Sequence, residues 1–185
     1  MKPALIGAVC GLAWAAGLRG LMSELAGVSS HVSWYGTFGQ ILLPGVLTGA
    51  LLGYSVRSGD RRLIMAPLLF AVAVFVSPDA FKGLLFEGGI GGGAIALPLF
   101  GIAGGYLLAG RGPMWTRVLA GVVAVAPVPL WPLTNGPFGP DFAVTTAHGA
   151  WVALLLYSLI AVLEMACAIP LAGRRVSAAA GNQVR

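Results

Sequence analysis

The chain reads as an all-helical integral membrane bundle of six transmembrane helices with both ends in the cytoplasm, and three observations carry that reading. Hydrophobic residues make up 58% of its 185 positions and charged residues only 9%, whereas a soluble domain uses about a quarter charged residues to cover its surface. The apolar residues gather in runs near the length a helix needs to cross a bilayer, roughly 17 to 25 residues. The charges lie between the runs and segregate by sign, as Lys and Arg held on the cytoplasmic side would. This composition excludes a cytosolic enzyme, a secreted disulfide scaffold, a disordered tail and a nucleic-acid-binding domain. The net charge of +5 is a topology signal, because no segment clusters basic residues with interleaved aromatics as a nucleic-acid surface would.

The spans are expected at residues 3–22, 38–56, 62–77, 90–110, 115–131 and 147–172. They form a single transmembrane domain over 1–175, followed by a short cytoplasmic tail, 176–185. The first begins like a signal peptide, with Lys2 before an apolar run, and is read here as a span. The third has the shortest uninterrupted apolar stretch and carries Pro67 near its start, so it should be kinked or thin. After the fifth, five prolines between Ala126 and Pro140 predict a break into an extended outer loop. With the N-terminus inside, nine of the eleven basic residues are cytoplasmic, and only Arg19 and Lys82 are not. Four of the six acids, Glu24, Asp79, Glu87 and Asp141, fall on the opposite side. These features place the protein in a bacterial inner membrane.

Helices in lipid associate by close backbone approach, which favours small residues four apart. Gly7 and Gly11, then Gly45, Gly49 and Gly53, then Gly101 and Gly105 form such stripes on the first, second and fourth spans. They predict tight packing within one protomer, with a dimer face as the alternative. Gly49-Ala-Leu-Leu-Gly-Tyr54 is echoed by Gly101-Ile-Ala-Gly-Gly-Tyr106, each preceded by a proline, and this suggests a weak duplication of two hairpins. Cys10 and Cys167 lie at similar depth on the cytoplasmic side, where thiols stay reduced.

Glu164 is the sharpest chemical feature, since it lies inside the last span, where a carboxylate costs about 2 to 3 kcal/mol unless paired or hydrated. It is either an ion or proton ligand on a pathway or a buried lock to Arg57, Arg117 or Tyr54. Arg19, on the outer side against the charge rule, calls for an acidic or anionic partner such as Glu24, Asp79 or Glu87, a lipid phosphate, or escape to the headgroups. His31 and His148 belong to the same outer surface, without the spacing of a metal site. No metal and no cofactor is therefore expected. Trp34, Tyr35, Trp131 and Trp151 suit an interfacial aromatic belt, and residues 79–86 suit a short amphipathic element on the outer interface. The glycine-rich run at 88–93 lacks the Lys and Ser/Thr of a phosphate loop and reads as a flexible entry to the fourth span. No hydrolase signature occurs.

Arg19-Gly-Leu-Met22 followed by Ser33-Trp-Tyr-Gly-Thr37 resembles a pattern in uncharacterised bacterial polytopic membrane proteins, with Leu21 standing where those carry Trp. The resemblance implies a shared architecture for the first two helices and brings no activity. In size and six-helix layout the chain is also similar to substrate-binding subunits of energy-coupling-factor vitamin transporters. The expected function is noncatalytic: a small transport or channel-type protein, or the membrane subunit of a larger complex, with the lipid bilayer and a homo-oligomer or larger assembly as partners. Two alternatives stand beside it. One is an outer-face enzyme acting on lipid-linked substrates, which requires Arg19, Glu24, His31, Glu87 and His148 to converge; the other is a structural membrane partner.

Overall fold

The structure, a computed structural model, describes residues 2–27, 30–76, 92–134 and 139–172. All of its regular elements are helical. α1 spans Lys2–Ala26. α2, Leu43–Ser58, is preceded without interruption by a π-helical segment, Trp34–Leu42. α3, Leu69–Val76, follows a 3₁₀ stretch, Arg61–Leu68. α4 is Gly92–Ala109, α5 Met114–Val125, α6 Pro127–Thr134 and α7 Ala147–Ala172. Among the described residues four helical rods are long and apolar enough to cross a membrane: Lys2–Ala26, Trp34–Ser58, Met114–Leu133 and Ala147–Ala172. A shorter apolar helix covers Gly93–Ala109. Large apolar side chains cover the outside as well as the core, with Leu5 68% and Val9 61% exposed on α1. Such a surface is stable against lipid, and in water it would aggregate.

Prolines shape these rods. Pro44 has no N–H for the Gln40 carbonyl and its ring would strike that oxygen. The helix widens there, and the Leu43 N–H reaches back to the Phe38 carbonyl. Pro67 falls in the 3₁₀ stretch, which is tighter than an α-helix, so the third segment is thin where the sequence led one to expect a kinked or thin helix. Its Ala66 carbonyl accepts from Thr48 Oγ1 at 3.2 Å. Asp60 starts this segment by accepting the Arg62 N–H at 2.9 Å.

The proline-rich stretch corrects the sequence reading. Instead of becoming extended after Ala126, the chain restarts a helix at Pro127 and stays helical to Thr134. Pro127 occupies a first-turn position, where a missing N–H costs nothing. Pro132 orphans the Val128 carbonyl one turn back, and the Tyr157 hydroxyl of α7 donates to it at 3.0 Å. The aromatic belt is also revised. Trp34 and Tyr35 lie within the π-helical segment rather than a loop, and Trp131 is buried in the core at 7% exposure.

The most extensive helix contact is α1 on α2, followed by α4 on α7 and α4 on α5. A Cβ added at Gly7 would meet the Gly49 carbonyl, one at Gly11 the Gly45 carbonyl, and one at Gly53 the Pro3 carbonyl. The two helices therefore touch backbone to backbone. On α4, Gly101 faces Leu163, Gly104 faces the Glu164 side chain and Gly105 faces Cys167 of α7. The two glycine pairs of the sequence echo thus serve different partners, α1 in one case and α7 in the other. Two apolar clusters fill the middle, one around Leu21, Phe70, Trp131, Val152 and Leu159, the other around Leu52, Ile64, Leu163 and Cys167. The Trp14 indole ties α1 to α7 by donating to the Leu159 carbonyl at 2.8 Å.

Candidate functional site

The bundle has two ends. One carries Glu24, Ser30–Ser33 and His148, the other Lys2, Arg61 and Arg111. Toward the His148 end, α1, the π-helical segment, α3, α4, α6 and α7 leave a chamber of about 380 Å³ between them. Its walls are Leu18, Leu21, Met22 and Leu25 from α1, Phe70 and Val74 from α3, Ala96, Leu97 and Phe100 from α4, Leu130 and Trp131 from α6, and Leu156 and Ile160 from α7. Gln40 and Ile41 close it from the π-helical segment. No described lining residue is ionisable. Such a space lies within the roughly 300–1,000 Å³ of ligand pockets.

A second hollow, about 360 Å³, is a groove among α1, α2 and α7 toward the Arg61 end. Its floor is the glycine contact between Gly7, Gly11, Gly45 and Gly49, and Cys10, Thr48 and Val162 line it. Cys10 is exposed and Cys167 buried, and both are free thiols.

The charged candidates form separate small contacts. Arg19, half-buried on α1, donates to Ser30 Oγ from both terminal nitrogens at 3.2 Å. It also donates to the His31 carbonyl at 2.7 Å and, through Nε, to Thr37 Oγ1 at 3.4 Å. Its compensation is thus hydroxyls and a carbonyl; among the described residues no carboxylate pairs with it. Asp79 and Glu87 lie outside the described residues. The arginine fastens the start of the π-helical segment to α1.

Glu24 belongs to the last turn of α1 and meets His148 Nε2 at 3.2 Å, the single contact between an acidic and a basic side chain among the described residues. The His148 ring stands edge-on to Phe142 at 4.9 Å. Thr146 caps α7 there by accepting the Gly149 N–H at 3.0 Å. His31 contributes its backbone carbonyl to Arg19. The structure thus joins Glu24 to His148 and Arg19 to the His31 backbone, in two contacts that do not merge. None of these residues lines the chamber. No group of three or more metal-ligating side chains converges among the described residues.

Glu164 is half-buried and lies flat against Gly104. It lines neither hollow, and the lock to Arg57, Arg117 or Tyr54 is not formed among the described residues. Sequence reading missed Gln40. Its signal was present in Pro44 four residues on, whose ring displaces the Gln40 backbone from a regular helix, but a lone glutamine near a helix start has no pattern that singles it out. Compared with known proteins, the chain matches no family model, no curated protein and no solved structure.

Proposed function

We propose that this is a multi-pass protein of a bacterial inner membrane, with six spans and both ends cytoplasmic, and that it is a small transport-type protein taking an apolar ligand into the chamber at the His148 end. The chamber carries this reading: six elements wall it without filling it, and apolar packing in a membrane protein otherwise closes such gaps. Two more spans than the four long rods are supported by the apolar run from Leu63 to Val76 and by the 18-residue helix Gly92–Ala109. The orientation is supported by Arg57, Arg61, Arg62, Arg111 and Arg117 at one end and by Glu24 and Asp141 toward the other. On that orientation the chamber belongs to the outer half of the membrane.

The outer-face enzyme is the weaker reading, because Arg19, Glu24, His31 and His148 form two contacts away from the chamber. An ion pathway through Glu164 is weaker too, since both hollows are apolar and neither reaches it.

Native mass spectrometry of protein extracted in lipid nanodiscs tests the proposal. The wild type should retain a small apolar molecule that Ala96→Trp, filling the chamber, releases without loss of helical circular dichroism. Wild-type protein that carries nothing, or a variant that retains the same molecule, overturns it.

A further inference from the structure

The groove among α1, α2 and α7 owes its shape to the glycines that bring α1 onto α2. A Cβ at Gly7, Gly11 or Gly49 would strike the opposing backbone. The contact is therefore bare of side chains, and the strip beside it stays unfilled at about 360 Å³. Its α1 wall is Lys2, Ile6, Cys10 and Trp14, four apart on one helix face, and α7 opposes them with Val162 and Ile169. At 1.5 Å per residue that wall is about 18 Å long, so a space of about 360 Å³ averages about 5 Å across. A transmembrane helix, about 10–12 Å thick with its side chains, is too wide to enter. A single hydrocarbon chain is not.

The two ends of the groove differ. At one, the Trp14 indole donates to the Leu159 carbonyl at 2.8 Å and ties α1 to α7. At the other, Lys2 is exposed, and it is the one charged side chain on the described lining. No carboxylate pairs with it among the described residues. An empty apolar groove forfeits dispersion contacts along its whole length, and a free ammonium at its mouth attracts phosphate. We propose that the groove seats one acyl chain of an anionic phospholipid, its tail toward Trp14 and its phosphodiester headgroup against Lys2 Nζ. The groove and Lys2 stay together whichever way the protein is inserted, so this site stands apart from the proposed orientation and from the ligand of the chamber.

The test uses phosphatidylglycerol and phosphatidylcholine carrying the same diazirine-bearing acyl chain, each diluted into nanodiscs of unlabelled phosphatidylcholine. Photocrosslinking with peptide mapping locates the chain, and native mass spectrometry gives the mass of the assembly. In the wild type, phosphatidylglycerol should crosslink to 3–14 of α1 and 162–169 of α7 about fivefold more than phosphatidylcholine, the scale of one Lys at an anionic lipid surface. Lys2→Gln should bring that ratio near one, and Lys2→Arg should keep it. Cys10→Phe and Val162→Phe, at exposed positions on opposite walls, should each remove the groove crosslinks with helical circular dichroism unchanged. Equal crosslinking of the two lipids to the wild type, or a preference that survives Lys2→Gln, overturns the proposal. So do crosslinks that persist in both filled variants or spread alike over α5, which would mark annular lipid only. A dimer whose groove peptides take no crosslink would give the groove to a second copy and overturn it as well.

Discussion

Tyr157 stands in for a proton that Pro132 cannot supply. Its hydroxyl donates to the Val128 carbonyl at 3.0 Å, and so lets a helix with three prolines persist to Thr134. Tyr157→Phe should lower stability by about 1 kcal/mol, the scale of side-chain hydrogen bonds inside membranes. In a Pro132→Ala background, where residue 132 regains its N–H, the same change should cost close to nothing. Equilibrium unfolding in mixed detergent and SDS measures both, and equal costs in the two backgrounds would refute the exchange of donors. The chemical residues were legible in the sequence only as types in unusual places. Glu164 was marked because a carboxylate in a span is expensive; that it lies on Gly104, with neither Arg57 nor Arg117 beside it, depends on how α4 and α7 cross. Arg19 was marked for violating the charge rule, and its neutral partners Ser30 and Thr37 are supplied by the turn between α1 and the π-helical segment.

At the scale of elements, glycine decides which helices touch. Gly49 has the backbone of Gly7 and Gly11 where its Cβ would be, whereas nothing stands within 4 Å of a Cβ at Gly20 on α1. Gly49→Leu should therefore destabilise the protein by about 3 kcal/mol, because it wedges apart two backbones with no flexible side chain to yield. Gly20→Leu should stay within about 0.5 kcal/mol of wild type. The same unfolding assay reads both, and a mild effect at Gly49 would deny the close contact. The stripes at Gly45, Gly49 and Gly53 could be seen in the sequence because spacing of four puts residues on one helix face. Their partner could not, since Gly7 and Gly101 offer equally flat surfaces. Proline misled for a related reason: its effect depends on whether another element supplies the lost donor.

Over the whole molecule, the arrangement of charge fixes the direction of insertion on the proposed reading. In a background without Cys10 and Cys167, a membrane-impermeant maleimide added to spheroplasts should label Val32→Cys and spare Ser58→Cys until the membrane is opened. Val32 is 71% exposed at the His148 end, and Ser58 is exposed beside Arg57 at the other. Labelling of Ser58→Cys on sealed spheroplasts would reverse the orientation and put the chamber in the inner half of the bilayer. The chamber lies between α1, α6 and α7, which Trp14 and the shared core of Leu21, Trp131 and Leu159 hold together on one side of it.

Composition and spacing by themselves determined that this chain is helical, that it suits lipid, and where its long rods run, because burial of a polar backbone in hydrocarbon leaves little besides helices that satisfy every N–H and C=O. The last rod, Ala147–Ala172, was readable to the residue, since apolar runs and their flanks are local properties. Only the tertiary structure decided that α1 rests on α2, that Glu24 meets His148, that the proline stretch stays helical and that Gln40 faces an unfilled space. Each of these joins residues far apart in the chain, and in a sequence so rich in Gly, Ala, Leu and Val many pairings are equally apolar, so shape rather than chemistry selects among them.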